Sequence, residues 1–430
     1  MNFLEFDQDR HFEDAMSGKR NKGDAMKLNK VCAALAACGL AFGMSAAGAQ
    51  TLSGDKIVIG FVTDMSSLYS DIDGPGGVEA IRMAIADMQK EFPGKKIELV
   101  FADHQNKADI ASAKVREWID QGGADVIIGG TNSSTALASA KIAAEKKTPY
   151  ISVGAASSRL TNEDCTPYTV HYAYDTIALA NGTGAAVVKS GGKSWFFLTA
   201  DYAFGHSLEK DTGDVVKAAG GNVVGAVRHP LSASDFSSFL LQAQNSKAQI
   251  LGLANAGGDT INSIKAANEF GVTKNMKLAG LLMFINDIHS LGLPTTQGMY
   301  LTDGWYWNQS PESRAWSRKF FDKMKRMPSM LQAGDYSAVT QYLTAVKAAG
   351  TDNADAVMAQ LKKQKINDMF AKGGYVRADG RMIHEMYLMQ VKTPAESKEP
   401  WDYFKVAQVI PGEQAYQSLA NSKCPLITKK

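Results

Sequence analysis

Neither charge sign predominates in this sequence: 46 Lys and Arg stand against 44 Asp and Glu, a net charge of +2. A chain that grips nucleic acid usually gathers a basic excess on one face, so no nucleic-acid partner is expected. Cysteine is scarce, with four among 430 residues, and a disulfide-dense scaffold is excluded. The apolar run from Val31 to Met44 is too short to span a bilayer comfortably, which argues against a polytopic membrane protein. Catalytic signatures are missing as well: there is no G-x-S-x-G elbow, Walker loop or H-E-x-x-H helix. His104, His171, His206, His229, His289 and His384 are scattered, with no i,i+4 pair among them. Gly74-Pro-Gly-Gly77 lacks dinucleotide spacing and reads as a turn entering a helix, and Asp71-Ile-Asp73 lacks the spacing of an EF-hand. No catalytic residue, metal or cofactor is expected.

What is present is an ordinary core-forming composition, 45% hydrophobic and 21% charged. At roughly 150 residues per domain the length suggests two or three domains. From Met26 the chain reads as a secretory signal: a basic start, a short apolar run, then small residues ending at Ala49. Residues 1–25 form an upstream extension without a structural role, 26–49 the signal peptide, and the expected location is the periplasm. Lipid anchoring at Cys38, within Leu35-Ala-Ala-Cys38, is the minor alternative. Past the signal only Cys165 and Cys424 remain; in an oxidising compartment they form one disulfide tying the tail to the body, or stay as two buried thiols.

Short apolar strands then alternate with helical stretches. Strands are predicted at 56–62, 96–102, 125–129 and 149–153, and again at 195–199, 222–227, 249–253, 277–282 and 298–303. Helices lie between them, three more follow between Pro311 and Gln364, and paired strands close the chain around 375–391 and 401–409. Such alternation implies parallel sheets covered on both faces. The stretches 96–130 and 221–258 repeat one pattern of strand, polar loop, helix, strand and glycines, a hint of two similarly built lobes.

Polar and aromatic residues cluster where strands end, the place where open parallel sheets bind ligands. Asp64-Met-Ser66-Ser67-Leu-Tyr69 follows the first strand, Thr131-Asn132-Ser133 the third and Ala155-Ala-Ser157 the fourth. Asn132 and Ser133 suit a carboxylate seat, and suit a plain helix N-cap equally well. Tyr202 and Phe204 can wall a cleft or pack as core. The aromatic run Trp305-Tyr-Trp307 sits at an expected crossover, where rings can stack on a ligand's apolar part.

Four segments carry a family resemblance: KIVIGFVTDMSSLYSDIDGPGGVEAIRMAIADM, ADVIIGGTNSSTALASAKIAAEKKTPYISVGAASSRLT, YTVHYAYDT and SDFSSFLLQAQNSKAQILGLANAGGD. In this order they resemble the substrate-binding proteins of the branched-chain (hydrophobic) amino acid class of ABC transporters, with the type I periplasmic-binding-protein fold. The resemblance implies an α/β fold of two doubly wound parallel-sheet lobes joined by three crossovers. One lobe is expected from 50–174 and 304–384, the other from 175–303 and 385–430, with the tail able to return to the first through Cys165 and Cys424. It also implies closure over a small-molecule ligand without chemistry, a monomer, and delivery to membrane permease subunits with their ATPases. The implied ligand contacts are the loops at Thr131-Asn132-Ser133 and Ala155-Ala156-Ser157, the aromatic Tyr202, and loops at Asn255 and Phe284.

Amino-acid binders of this class usually place an acidic group near Met283-Phe284 to hold the ligand's ammonium. Here the residues are apolar, with Asp287 a few places on. A buried ammonium without a carboxylate partner is costly. The expected ligand is therefore an aromatic or other hydrophobic acid, as in relatives that take up aromatic carboxylates. A branched-chain amino acid or an amide is the alternative, and a sensory domain or secreted enzyme remains a further reading.

Overall fold

The computed structural model describes residues 52–427; the upstream extension, the signal segment and Cys38 lie outside them. Two parallel sheets organise the chain. The first contains β1 (Lys56–Thr63), β2 (Lys96–Asp103), β3 (Val126–Gly129), β4 (Tyr150–Ser152) and β5 (Thr169–His171), in the order β2-β1-β3-β4-β5. The second contains β6 (Ser194–Ala200), β7 (Asn222–His229), β8 (Ile250–Ala254) and β9 (Lys277–Gly280), in the order β7-β6-β8-β9. The order 2-1-3-4 recurs in both, so the sequence likeness between the halves is a likeness of topology. β1, β3 and β8 are apolar and buried along nearly their whole length, as expected for strands covered on both faces.

After β9 the chain turns antiparallel. β10 (Tyr300–Asp303) pairs with β14 (Met386–Val391), which pairs with β15 (Phe404–Ile410). Between them β11 (Lys365–Ile366), β12 (Gly374–Val376) and β13 (Met382–Ile383) form a small sheet. β5 and β11 escaped the sequence reading, because two or three residues carry no periodic signal, while β12 and β13 fall within the predicted strand stretch around 375–391. The three predicted late helices are present at Pro311–Met324, Met330–Ala349 and Ala354–Lys363.

The glycines 74–77 are a correction: they are the first turn of helix Gly74–Met88, not a turn before it. They permit close packing against helix Met330–Ala349. A Cβ on Gly76 would lie 2.2 Å from the Gln332 side chain, and one on Gly77 would lie 2.3 Å from Asp73 Oδ1.

The crossing segments are stitched by buried polar groups. The Arg381 guanidinium donates to the carbonyls of Tyr172, Tyr174 and Met382 and lies over the Tyr416 ring at 4.5 Å. His384 Nε2 donates to the Ala173 carbonyl at 2.7 Å. Burial and the Arg381 charge hold His384 down at a pKa of about 4, so it is neutral at physiological pH. A buried guanidinium is tolerated because carbonyls and Asp175, 3.7 Å away, compensate it.

Cys165 and Cys424 are joined as a disulfide with their Cα atoms 5.5 Å apart, fastening the tail to the segment before β5. No described helix is long and apolar enough to cross a membrane. Reducing this disulfide, or replacing both cysteines by Ser, is expected to lower stability by about 2–5 kcal/mol, since the bridge closes a loop of 259 residues. Denaturant titration of oxidised and reduced protein checks this; equal midpoints would show that the tail is held by other contacts.

Candidate functional site

The carboxyl ends of both parallel sheets face one cavity. It is lined from the first sheet's side by Tyr69, Ile72, Thr131, Asn132, Ser133 and Gly154 to Ala156, and by Tyr174 after β5. Tyr202, Phe204, Ala256 and Leu282 complete it from the second sheet. Its volume is only about 20 Å³. Pockets that hold a drug-sized ligand run to roughly 300–1,000 Å³, so in this arrangement the cleft has room for little more than a single water. The cleft is closed.

Its polar end is made by backbone. β3 ends at Gly129, and helix Ser133–Glu145 begins four residues on. Asn132 caps that helix: its Oδ1 accepts from the N–H groups of Ser134 (2.9 Å) and Thr135 (3.2 Å), and its Nδ2 donates to Asn106 Oδ1. Its side chain is therefore committed to structure, at a φ of 70°. Beside it runs the loop after β4, with Ser157 N–H donating to Ser133 Oγ at 3.1 Å. Gly154 makes this approach possible, since a Cβ there would lie 2.8 Å from the Gly130 carbonyl carbon. Among the described residues, the N–H groups of Ser133, Ala155 and Ala156 donate to no other group of the chain. Three free donors at a helix N-terminus and an adjoining loop make a seat for an anion.

The remaining walls are apolar and aromatic. The buried Asp64 carboxylate organises the loop after β1, accepting from the N–H groups of Ser67 (2.9 Å) and Tyr69 (2.8 Å) and from Asn106 Nδ2 (2.7 Å). This delivers Tyr69, whose hydroxyl bonds that of Tyr202 at 2.7 Å. Tyr174 donates to the Gly154 carbonyl at 2.8 Å. Burial raises the pKa of all three tyrosines, which stay neutral at physiological pH. No Asp, Glu, Lys, Arg or His is among the lining residues.

Of the residues singled out from sequence, Tyr69, Thr131, Asn132, Ser133, Ala155, Ala156, Tyr202 and Phe204 come together on the cavity. Ser66, Ser157, Asn255, Phe284 and Trp305 lie outside its lining. Ser66 is exposed and donates to Asp103. Ser157 bonds Ser207 across the lobes at 2.7 Å. Asn255 is consumed by Ser263, Thr260 and His229, leaving its neighbour Ala256 on the cavity. Phe284 stands edge-on behind Tyr174, ring centroids 6.4 Å apart. Trp305 is core, its indole N–H bonded to the Met369 carbonyl. Asp287 is no ammonium partner here: its carboxylate accepts from Phe284 N–H at 2.9 Å, and burial lifts its pKa to about 7. Ile72, Tyr174 and Leu282 went unnoticed; only the strand-end rule, applied to β5 and β9, could have found the last two.

Two similarly built α/β lobes that close on a shared cavity between the carboxyl ends of their sheets define a two-lobed solute-binding protein. The chain belongs to the periplasmic binding protein family, whose model matches residues 56–398. A crystal structure of a periplasmic binding protein from Burkholderia mallei is 68% identical, covering 87% of this chain and all of that one, with a TM-score of 0.86. A branched chain amino acid ABC transporter periplasmic ligand-binding protein from Burkholderia xenovorans is 37% identical over 86% of this chain and all of that one, with a TM-score of 0.77. A Rhodopseudomonas palustris solute-binding protein in complex with 4-hydroxybenzoate is 22% identical, covers 83% and 98% of the two chains and has a TM-score of 0.74, a likeness of fold. Among curated proteins, a Leu/Ile/Val-binding protein homologue of Brucella melitensis is 24% identical over 233 residues, and the chain spans 58% of its length.

Asn132→Ala is expected to cost about 1–2 kcal/mol without ligand, by losing the cap and by forcing an L side chain with a Cβ to hold positive φ unaided. Asn132→Gly is expected to cost a few tenths. Urea unfolding of both variants checks this, and equal losses would remove the cap and φ as the cause.

Proposed function

We propose that this protein is the periplasmic solute-binding component of an ABC importer and that it captures a small hydrophobic monocarboxylate, foremost an aromatic acid. The observation that carries the reading is the cavity's composition: three free backbone N–H donors at one end, tyrosine, phenylalanine, leucine and isoleucine elsewhere, and no charged side chain. Such a lining compensates one negative charge. It offers nothing to an ammonium, and no base or thiol to start a reaction, so the protein binds and releases rather than catalyses. The solved relative that holds 4-hydroxybenzoate supports a ring-bearing acid on this scaffold.

The closed cavity has no room for a ring as it stands, so loading requires the lobes to part. Lobe boundaries at 174/175, 303/304 and 384/385 put the pivot among the segments that Arg381 and His384 stitch together. Capture then closes a monomer, delivered by a cleaved signal peptide to the periplasm, into the form that permease subunits receive. The branched-chain amino acid reading draws on the name of the 37% identical relative.

A thermal-shift series on the chain from Gln50 separates these readings. Benzoate and 4-hydroxybenzoate are expected to raise the melting temperature by a few degrees, because a hundredfold excess over Kd adds about 2.7 kcal/mol. Leucine and valine are expected to leave it unchanged. A shift with leucine alone would overturn the aromatic-acid reading and require an ammonium partner that the described cavity does not offer.

A further inference from the structure

Beneath the seat lies a second pair of acids that the binding reading does not use. Asp73 is the residue before helix Gly74–Met88, yet its side chain makes no cap bond to that helix. It turns inward, where Thr63 Oγ1 donates to Oδ2 at 2.6 Å. The seat loop rests on it: a Cβ on Gly130 would lie 2.3 Å from Asp73 Oδ2. Asp335 projects from helix Met330–Ala349 toward the same point, and a Cβ on Gly77 would lie 2.3 Å from Asp73 Oδ1 and 2.7 Å from Asp335 Oδ2. Both residues are fully buried.

Asp73 Oδ1 and both Asp335 oxygens have no donor among the described residues. Neither acid takes part in an ion pair. The groups that face them are neutral or acidic: Asp64 in the loop after β1, Gln332 one turn back on Asp335's own helix, and Tyr174 from the crossover. His104, which bonds the Thr131 carbonyl, is held neutral by burial. Arg326 pairs with the exposed Asp71, and Glu79, Arg82 and Asp87 pair outward. Two ionised carboxylates in contact without a cation repel strongly in a buried site. A metal ion is a poor alternative, because no described group of three or more His, Cys, Asp or Glu could hold one.

We propose that Asp73 and Asp335 share one proton in the native protein, Asp335 donating it to Asp73, and that this pair fixes the Gly130–Thr131 turn from which the seat is built. The role for the seat rests on the acid-binding reading above; the shared proton does not. Burial and the neighbouring Asp73 push Asp335 well above the usual carboxylate range. Unfolded, Asp335 ionises above about pH 4, so the folded state binds more protons and this pair's contribution to stability falls as pH rises. With the pair carrying a single negative charge just behind the seat, an anion arriving there favours uptake of a second proton.

Three measurements test this. Infrared spectra of the wild-type protein near neutral pH are expected to show the C=O stretch of a buried neutral carboxylic acid, lost in Asp335→Asn; a wild-type spectrum without that band overturns the proposal. The amide introduced by Asp335→Asn donates at every pH, so this variant is expected to melt above wild type by a margin that widens from about pH 5 to about pH 8. A margin independent of pH overturns it too. Calorimetry with 4-hydroxybenzoate in buffers of different ionisation heat is expected to show fractional proton uptake by wild type and none by Asp335→Asn; binding without uptake removes the link to the seat. Failure of 4-hydroxybenzoate to bind would count against the acid-binding reading, and the infrared and melting results then decide the shared proton alone.

Discussion

Two loop backbones, after β3 and after β4, touch at Gly130 and Gly154, and the cleft is arranged around that contact. Any side chain at Gly154 would push the loops apart, separating the N–H of Ser133 from those of Ala155 and Ala156. The seat is thus a property of chain packing. Asn132 lines the cavity but stabilises the seat indirectly, spending its amide on the helix and on Asn106. The arrangement supplies positive potential in a buried place without a buried lysine or arginine, whose desolvation would be hard to compensate among these walls.

Closure of the cleft is held by single short hydrogen bonds. Tyr69 meets Tyr202, Ser157 meets Ser207, and Ser158 donates to Asp211 at 2.9 Å. On the far side Asn286 donates to the Asp71 carbonyl, and Gly258 N–H to that of Leu68. Each such bond contributes about 1 kcal/mol net, because water replaces it when the lobes part. Set against this is the Arg381 cluster, whose guanidinium, carbonyl partners and contact with Tyr416 are all buried. Under the proposed opening of the lobes, this puts strong bonds among the crossing segments and weaker ones at the mouth.

Most of the fold was legible in the sequence. Parallel strands buried on both faces read as unbroken apolar runs, and β1, β3, β6 and β8 were placed within a residue or two. The seat was legible for a related reason: glycines and small polar residues after such a run have few structural alternatives. The walls were less so. Asn255 and Ala256 are neighbours, and their opposite facing sends one into a hydrogen-bonded core and the other to the cavity. Leu282, Met283 and Phe284 are equally apolar, and the turn after β9, which no residue type announces, decides that Leu282 reaches the cleft. Trp305 looked like a stacking surface until its indole proved to be bonded to Met369.

A seat built of main-chain N–H groups has an evolutionary consequence. Most point mutations leave the backbone where it was, so a lineage carrying this seat can exchange Tyr69, Tyr202 or Leu282 without disturbing its three main-chain donors. Selection on cargo then acts mainly on the wall, one side chain at a time, while the scaffold's hold on charge is inherited almost intact. Descendants of such a protein would diverge in the shape of what they carry sooner than in its charge.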